Sequence, residues 1–478
     1  MSRRTKIIAT IGPACTDAAT LKEMIHAGMD VARINTSHGR LEDHLETQDR
    51  IRGIAADIGK PIGILADLPG PKVRTAPFPK GGVHLGDGEH ITLTAGNNKS
   101  TAEVIEVDYE TLVLDMRPGD KLAFGDGQVV ATIDGKTADA LTARVNFGGL
   151  LQGRKGLHIP SDRLRVTAPT ETDLRYLDAF VEHNVDMVAL SFARSAHDIR
   201  RLGVEPAPRG PLVVAKIETR AAVENLEGII DAAGAVMVAR GDLGAECPIE
   251  EIPHLQKQII SECIAQGRPA ITATQMLESM ISSPTPTRAE ASDVANAVFD
   301  GSSAVMLSGE TAVGVDPVNT VHIMARICER ADAEFDYDQW AERITEIRAA
   351  ARLDVHPTDR TADAITHAAW EVSRQLDAAA IICLSNTGYT VRSIARFRPG
   401  TAILGFSPDE RTVKQLSLSW GVEPIHQPDR ATSYEMVQDA LHSARDAHAL
   451  RSGDAVVVVS GHSTATRATD TLRVMTIP

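Results

Sequence analysis

Six short apolar segments of this sequence end in charged or hydroxyl side chains. The polar ends lie at residues 33–39, 67, 216–218, 240–242, 272–275 and 308–311. An unpaired buried charge costs several kcal/mol, so a purely structural strand would avoid these residue types. Six segments that agree in this way indicate either a cluster of mutually neutralising charges or a ligand site.

Two of these segments carry carboxylates that could share a cation. Lys216 and Glu218 are two residues apart, so on a strand their side chains point the same way, and Asp242 ends the following segment. Converging carboxylates without Cys or His ligands suit a hard cation, for which Mg²⁺ is the usual choice beside a phosphorylated substrate. The alternative is a salt-bridge network of Lys216, Glu218 and Asp242 that only closes this end of the strands.

Three further side chains are candidates for substrate contacts. Arg33 and Arg74 flank the third apolar segment, and guanidinium groups are suited to phosphate oxygens. Taken singly, each arginine is also compatible with a surface position or an ion pair. Thr274 follows a strand where its hydroxyl could reach a reacting carbon or a water, although a threonine there is by default a packing or capping residue.

The polar ends need a scaffold that brings them together. Eight apolar runs occur, each followed by an amphipathic helical stretch, at residues 6–11, 30–34, 62–66, 187–191, 212–217, 235–239, 269–273 and 304–307. Continuous rather than alternating apolar runs are typical of a parallel sheet covered on both faces, and eight predict a (β/α)8 TIM barrel in the α/β class. A doubly wound open sheet is the alternative, but no G-x-G-x-x-G turn follows the first run.

The spacing predicts two additions to the barrel. Residues 70–166 show alternation, for example at 90–94 and 111–114, with Gly-Asp turns, which predicts an inserted all-β domain placed as a lid over the barrel loops. The last part of the chain alternates apolar runs with helices, which predicts a further α/β domain. The predicted division is therefore a barrel of residues 1–69 and 167–345, a lid of 70–166 and a C-terminal domain of 346–478.

Composition excludes several classes of function. The 478 residues carry 64 acidic and 49 basic side chains, a net charge of −15, which disfavours a nucleic acid or an anionic membrane as the partner. No apolar run approaches the roughly 20 residues of a membrane span. The five cysteines are scattered without a pairing or metal pattern, and the apolar stretch behind the basic start is short. We therefore expect a cytoplasmic protein with reduced, mostly buried thiols.

Several long blocks of the sequence resemble pyruvate kinase. The block with most of the resemblance is Met-Leu-Glu-Ser-Met at 276–280, followed by Pro-Thr-Arg-Ala-Glu at 286–290 and Ser-Asp-Val-Ala-Asn-Ala-Val at 292–298. Further blocks lie at 6–13, 33–39, 237–244 and 307–312, and the likeness is weaker in the last domain. The resemblance implies an ADP phosphotransferase that makes pyruvate and ATP from phosphoenolpyruvate, the last step of glycolysis.

The resemblance also implies a role for each site residue. Glu218 and Asp242 would bind the catalytic Mg²⁺, with Mn²⁺ as a possible substitute, and Lys216 would neutralise the transferring phosphoryl group and the enolate. The remaining implied contacts are Arg33 with the phosphate, the Gly241 N–H with the carboxylate, Thr274 with the carbon that is protonated, and Arg74, Asp126 and Lys155 with the nucleotide. A water relayed past Thr274 is the expected proton source, because no side chain of ordinary pKa serves.

One departure from the family pattern concerns a monovalent cation. In many members K⁺ is held by residues matching Asn35, Ser37, Asp67 and the carbonyl of Leu68, and a glutamate follows at the position of Lys72. Here the ammonium of Lys72 could take the electrostatic role of K⁺, so we predict that K⁺ is not required. The alternative is a solvent-facing lysine at the hinge of the lid.

A loop in the last domain resembles the effector loop of the family. Ser385, Asn386, Thr387, Gly388 and Thr390 lie between a strand and a helix, where hydroxyl groups and helical N–H groups suit a phosphate, although such starts are mostly caps. A second loop covers residues 460–467, and the tryptophan and arginine of the bisphosphate type are not identified. The expected effector is a phosphorylated sugar or nucleotide with one phosphate, and the resemblance suggests a homotetramer.

Two rival functions remain open at this point. A lyase of the phosphoenolpyruvate and pyruvate barrel kind would use Lys216 as a Schiff base or the metal pair to stabilise an enolate, but it has no use for the predicted nucleotide contacts. A non-catalytic sensor would be expected to lose one of Lys216, Glu218, Asp242 and Thr274, and none is lost.

Overall fold

The first two β/α units of the chain form as the sequence predicts. The computed structural model describes residues 3–125, 127–350, 357–447, 450–461 and 469–478. Its first elements are β1 (Lys6–Ile11), α1 (Ala18–Ala27), β2 (Val31–Asn35), α2 (Leu41–Ile58) and β3 (Gly63–Asp67). The side chain of Asp17 caps α1 by accepting a hydrogen bond from Thr20 N, and Gly28 ends the helix with a φ of 126° that favours glycine.

The chain leaves the barrel after β3 and builds a separate β-rich unit, here called the lid. Its elements are β4 (Val83–Leu85), β5 (His90–Ala95), β6 (Val104–Val107), α3 (Leu112–Asp115), β7 (Lys121–Phe124), β8 (Val129–Lys136), β9 (Leu141–Phe147), β10 (Gly149–Leu151) and β11 (Leu157–His158). Six strands form a sheet in the order β11-β7-β8-β9-β5-β6, and β10 pairs with β4. Side chains that alternate along these strands form a core distinct from that of the barrel.

One segment of the lid differs from its prediction. The alternation at 111–114 predicts a strand, but Leu112–Asp115 is a single helical turn. The carboxylate of Asp115 accepts hydrogen bonds from Thr111 Oγ1 at 2.6 Å and from the Tyr109 hydroxyl. These local bonds stabilise the turn, and four residues are too few for alternation to distinguish a strand from a helix.

The chain then returns and completes the barrel. The elements are α4 (Glu171–Glu182), β12 (Met187–Leu190), α5 (Ala196–Arg200), β13 (Leu212–Ile217), α6 (Arg220–Glu224), α7 (Leu226–Ala232), β14 (Ala235–Ala239), α8 (Arg240–Glu246), α9 (Ile252–Ala265), β15 (Ala270–Ala273), a 3-10 helix (Glu278–Ile281), α10 (Arg288–Phe299), β16 (Ala304–Leu307), α11 (Gly309–Ala312) and α12 (Pro317–Ala333). The strands close in the order β1-β16-β15-β14-β13-β12-β3-β2. The predicted TIM barrel is confirmed.

Alternate residues of the barrel strands bury opposite faces. On β1, for example, Ile8 belongs to the cluster that fills the barrel interior with Leu65 and Met237, whereas Ile7 packs under the surrounding helices. Both faces are therefore apolar, which explains why these strands appear in the sequence as continuous apolar runs. No helix among the described residues has both the length and the apolarity to cross a membrane.

The last part of the chain forms a second α/β unit, as predicted. It consists of α13 (Tyr337–Ala350), α14 (Pro357–Gln375), β17 (Ala380–Leu384), α15 (Tyr389–Ala395), β18 (Ala402–Ser407), α16 (Glu410–Leu416), β19 (Val422–His426), α17 (Ser433–Ala447), β20 (Ala455–Gly461) and β21 (Thr469–Thr476). The sheet order is β19-β18-β17-β20-β21, with β21 antiparallel to β20. The residue boundaries of the three domains stay a prediction.

Arg398 joins this C-terminal unit to the barrel. Its guanidinium carbon lies 4.6 Å from the ring centroid of Phe335, 5.1 Å from that of Trp340 and 4.8 Å from that of Trp420. The same guanidinium donates to the carbonyl of Ser302 at 2.6 Å. Ser302 lies just before β16, so the C-terminal unit contacts the end of the barrel opposite to the carboxyl ends of its strands.

Candidate active site

A buried row of alternating charges lies at the carboxyl ends of three barrel strands. Arg33 on β2 places its Nε 2.7 Å from Asp67 Oδ2 on β3. Lys216 on β13 places its Nζ 3.4 Å from Asp67 Oδ1 and 2.7 Å from Glu218 Oε1. The row therefore reads Arg33, Asp67, Lys216, Glu218, and four of the predicted site residues are brought together.

The two acidic neighbours of Lys216 keep it charged. Burial lowers the pKa of Lys216, but the carboxylates of Asp67 and Glu218 outweigh that effect and raise the pKa above its ordinary value. Burial acts on Asp67 in the opposite sense, and the charges of Lys216 and Arg33 overcome it to lower the pKa of that carboxyl. Asp67 and Lys216 are therefore an ionised pair at neutral pH.

Glu218 is the member of the row that is incompletely neutralised. Burial raises the pKa of Glu218 to about 7; the Lys216 ammonium opposes this shift and the Asp242 carboxylate adds to it. Glu218 Oε2 accepts a hydrogen bond from Phe192 N at 2.7 Å. Its Oε1 is buried, with the Lys216 ammonium 2.7 Å away as its neighbour. This oxygen and Asp242 suit a small cation.

No larger ligand set surrounds these two carboxylates. Within the described part of the chain, no group of three or more His, Cys, Asp or Glu side chains is arranged to hold a metal ion. Glu218 and Asp242 are the two carboxylates that the sequence predicts as ligands of a cation. Such sparse protein coordination is typical of Mg²⁺ at phosphate-transfer sites.

Gly241 and Thr274 are also brought together. Gly241 lies in the first turn of α8, directly after β14, and its N–H donates to Thr274 Oγ1 at 2.9 Å. Thr274 and Gln275 have φ values of 67° and 53°, in the left-handed region. Such a conformation costs about 1–2 kcal/mol for each residue other than glycine, so neighbouring groups must stabilise this turn.

Two hydroxyl groups of the site are missing from the sequence prediction. Ser191, at the end of β12, accepts a hydrogen bond from Lys216 Nζ at 2.8 Å and donates one to the Leu68 carbonyl at 2.7 Å. Thr10, at the end of β1, accepts from Arg33 at 2.8 Å. Both follow the same rule as the six predicted strand ends, but an uncharged hydroxyl at a strand end gives a weaker signal than a charge.

The lid faces the end of β14 and the start of α8 across a cleft. Lys72, Gly241 and Asp242 line a cavity together with His158 of β11 and Gly127 of the lid. Ser161, where the lid returns to the barrel, donates its N–H and its hydroxyl to Glu246 at 2.8 and 2.7 Å. The cavity between lid and barrel therefore reaches Asp242, one member of the predicted metal pair.

Arg74 and Lys155, two of the three predicted nucleotide residues, belong to the chain of the lid. Arg74 forms an isolated bridge with Gly156, and the N–H of Thr75 donates to the Lys155 carbonyl at 2.8 Å, so Arg74 and Lys155 lie on adjacent segments. Arg74 also donates to the Ser37 carbonyl at 3.4 Å. Asp126, the third predicted nucleotide residue, lies outside the described residues.

Lys72 is not in contact with the predicted monovalent-cation ligands. Its side chain is exposed and forms no hydrogen bond or ion pair with another residue that the structure describes, while Asn35 Oδ1 accepts from Ser37 N at 3.2 Å. Lys72 nevertheless lies near His38, as do two arginines. Burial lowers the pKa of His38, and the positive charges of Arg74, Lys72 and Arg33 lower it further. A concentration of positive charge at this side of the cleft is therefore present.

The predicted effector loop connects β17 to α15. Ser385 N donates to the Phe406 carbonyl at 3.0 Å, and the carbonyls of Asn386 and Thr387 accept from Thr412 and Arg392, at 2.8 and 2.9 Å. Gly388 has a φ of 71° before the short helix α15. The hydroxyl of Thr390 is hydrogen-bonded to that of Thr469, in the same domain, at 2.6 Å. Residues 462–467 of the second predicted loop lie outside the described residues.

The closed barrel with its inserted lid and polar strand ends defines this chain as a TIM-barrel enzyme. Models of two families match it: "Pyruvate kinase, barrel domain" over residues 2–321 and "Pyruvate kinase, alpha/beta domain" over residues 363–475. The chain belongs to the pyruvate kinase family and is a phosphotransferase.

Full-length relatives agree with this assignment. The chain is 41% identical to pyruvate kinase 2 of Synechocystis over 468 residues, 96% of this chain and 77% of the relative. It is 38% identical to the pyruvate kinase of Mycobacterium tuberculosis over 464 residues, 96% of this chain and 95% of the relative. It is 37% identical to that of Thermococcus litoralis over 481 residues, 100% of this chain and 99% of the relative.

Proposed function

We propose that this protein transfers the phosphoryl group of phosphoenolpyruvate to ADP in the cytoplasm, giving pyruvate and ATP as the last step of glycolysis. The observation that carries the proposal is the buried row of Arg33, Asp67, Lys216 and Glu218 at the carboxyl ends of the strands, with Asp242 lining the cleft under the lid. A coupled assay of pyruvate formation tests it. Pyruvate should appear only when both phosphoenolpyruvate and ADP are present; turnover without nucleotide would indicate a lyase, and none at all a sensor.

The substrate would be held by groups of opposite charge. Arg33 would bind the phosphate, and Lys216 would neutralise the phosphoryl group in transfer and the enolate that is left. The Gly241 N–H would bind the carboxylate, for which it must release Thr274 Oγ1, its present acceptor. The Thr274 hydroxyl donates its proton to the Ala273 carbonyl at 2.6 Å. The exchange would therefore free its oxygen to accept a hydrogen bond from a water directed at the enolate carbon. Arg74, Asp126 and Lys155 would bind the nucleotide from the lid.

Glu218 and Asp242 would hold Mg²⁺, with Mn²⁺ as an alternative. Burial raises the pKa of Glu218 and the like charge of Asp242 adds to that effect, so a cation bound by both carboxylates would stabilise their charged forms. The bound cation would neutralise charge on the phosphoryl oxygens. The chain's own contribution is to hold both carboxylates at the substrate end of the cleft, with Phe192 N fixing the orientation of Glu218.

We expect this enzyme to be fully active with Na⁺ or a bulky organic cation as the only monovalent ion. Lys72 places a covalently attached positive charge near Arg33 and Arg74, which lowers the need for a bound ion in a cleft crowded with phosphates and carboxylates. Lys72→Glu should lower turnover and be partly rescued by K⁺, whereas Lys80→Glu, on the exposed surface of the lid, should not. If the natural enzyme is inactive in Na⁺ and is activated by K⁺, Lys72 is only a lysine at the hinge of the lid.

We also expect allosteric regulation of a homotetramer by a monophosphorylated sugar or nucleotide bound at Ser385, Asn386, Thr387, Gly388 and Thr390. The loop lies in the C-terminal unit, so an effector there acts only by favouring one arrangement of domains or subunits. Dependence of rate on phosphoenolpyruvate should be sigmoidal and become hyperbolic with effector.

Thr390→Glu should abolish the effector's change from sigmoidal to hyperbolic kinetics. The new carboxylate lies beside the phosphate and repels it, and the hydrogen bond to Thr469 is lost. Ser433→Glu, an exposed change in the same unit, is the matched control. Hyperbolic kinetics that respond to none of a panel of such compounds would identify the loop as an ordinary helix cap.

A further inference from the structure

The block that carries most of the family resemblance supplies no residue to the proposed chemistry. Residues 276–298 run from the end of the Thr274 turn through the 3-10 helix and most of α10. In the structure this block lies directly behind the turn that presents Thr274. Its Asp293 binds Arg240, which in turn binds the carbonyls of the turn, so the block is connected to the site through Arg240.

Arg240 is the residue that ties α10 to this turn. Its Nη1 lies 2.7 Å from Oδ2 and 2.8 Å from Oδ1 of Asp293, which belongs to α10. Its Nη2 donates hydrogen bonds to the Thr274 carbonyl at 2.7 Å and to the Gln275 carbonyl at 3.3 Å. The planar guanidinium thus connects the helix to both residues that have a left-handed backbone. A lysine has the same charge but only one nitrogen, so it cannot reach Asp293 and the two carbonyls at the same time.

The chain after the turn is fixed by other residues. Glu290 accepts from Ser279 N at 2.7 Å and Ser279 Oγ at 2.6 Å, and Glu310 accepts from Leu277 N at 3.1 Å. Arg240 binds the carbonyls of Thr274 and Gln275, and its remaining contact in this segment is with Met276 Sδ at 2.9 Å. Loss of the Arg240 contact therefore affects the direction of the Thr274 hydroxyl without releasing the neighbouring segment.

We propose that Arg240 and Asp293 are positioning residues for the protonation half of the reaction. They hold the left-handed turn by its carbonyl groups, and so fix where the Thr274 hydroxyl lies once substrate has bound. The inference rests on the proposed function, in which Thr274 directs a water to the enolate carbon. Neither residue touches the substrate; each acts through Thr274.

Exchange of the methyl hydrogens of pyruvate with D2O, followed by NMR in the presence of ATP and Mg²⁺, isolates this half-reaction. A methyl C–H bond breaks, its electron pair forms the enolate, the proton passes to water, and a deuteron from solvent forms the new bond. Arg240→Lys and Asp293→Asn should each slow exchange and kcat by at least about tenfold, because small misplacements of a reacting group have large effects on rate. The KM for phosphoenolpyruvate should change less than about twofold, since ground-state contacts are kept.

A double-variant comparison tests whether the effect passes through Thr274. In a Thr274→Ala background, Asp293→Asn should slow exchange by less than about twofold more, because residues that act as a unit are not additive. Glu251→Gln, which breaks the ion pair of Arg220 with Glu251 (2.9 Å) elsewhere on the barrel, is the matched control and should leave exchange unchanged.

Two results would overturn the inference. One is exchange within about twofold of the natural enzyme in both Arg240→Lys and Asp293→Asn, and the other is a full additive loss in the double variant. Thermal unfolding midpoints separate a folding defect from a positioning defect. Failure of the proposed function is recognised separately, because then the natural enzyme itself forms no pyruvate from phosphoenolpyruvate and ADP.

Discussion

Replacing Asp242 by Ala should lower metal-dependent turnover at least about a hundredfold while the protein stays folded. The expected loss follows from the position of Asp242 beside Glu218, where the two carboxylates repel each other and a cation would neutralise both. For the same reason removal of Asp242 relieves repulsion in the apoprotein, so the thermal unfolding midpoint should not fall. Steady-state kinetics over a range of Mg²⁺ concentrations, together with the unfolding midpoint, measure both effects.

Glu227→Ala is the matched control, because Glu227 is an exposed carboxylate in the first turn of α7. It should leave the Mg²⁺ dependence unchanged. Near-normal turnover in Asp242→Ala, or an unchanged requirement for Mg²⁺, would contradict the assignment of the metal pair and favour a salt-bridge network at the end of the barrel.

Replacing Lys216 by Met should lower kcat about a hundredfold or more, with a much smaller change in the binding of phosphoenolpyruvate. The Lys216 charge matters most where negative charge develops, on the transferring phosphoryl group and the enolate. The variant also leaves Asp67 and Glu218 buried without their shared partner, and breaking a buried ion pair in this way destabilises by about 3–5 kcal/mol. Kinetics and denaturant unfolding therefore both change.

Lys216→Arg separates these two effects, because it keeps the positive charge between the carboxylates and loses the placement of the ammonium. We expect it to recover most of the stability and little of kcat. Equal losses in kcat and in phosphoenolpyruvate affinity for Lys216→Met would instead indicate simple ground-state binding.

The architecture can be predicted from the sequence because the barrel strands are apolar on both faces. Ile7 and Ile8 pack on opposite sides of β1 and are both fully buried, so the strand gives a continuous apolar run with no helical period. The charges of Asp67, Lys216 and Glu218 stand out at the ends of such runs for the same reason. The short turn of α3 could not be predicted, since local side-chain bonds decide it.

The partners of each charge could not be predicted, because strand neighbours in a barrel are distant in sequence. The contacts of Ser191 with Lys216 and the Leu68 carbonyl join three different strands. The contacts of Arg240 depend on a left-handed turn at Thr274, a conformation that the residue types do not favour. The exposed position of Lys72 depends on how the lid faces the barrel, which no local pattern specifies.

The barrel cannot close on the ribosome until its last strand has been made, because Lys6 of β1 pairs with Ala304 of β16. The lid core, by contrast, lies between Val73 and Ile159, and most of its strands pair with strands nearby in the sequence. Contacts between distant residues form slowly, and domains fold as units during synthesis. The inserted domain therefore completes its core while β1 still lacks β16 and β3 still lacks β12 as neighbours. That newly made N-terminal segment is the part of the chain that most needs protection from aggregation.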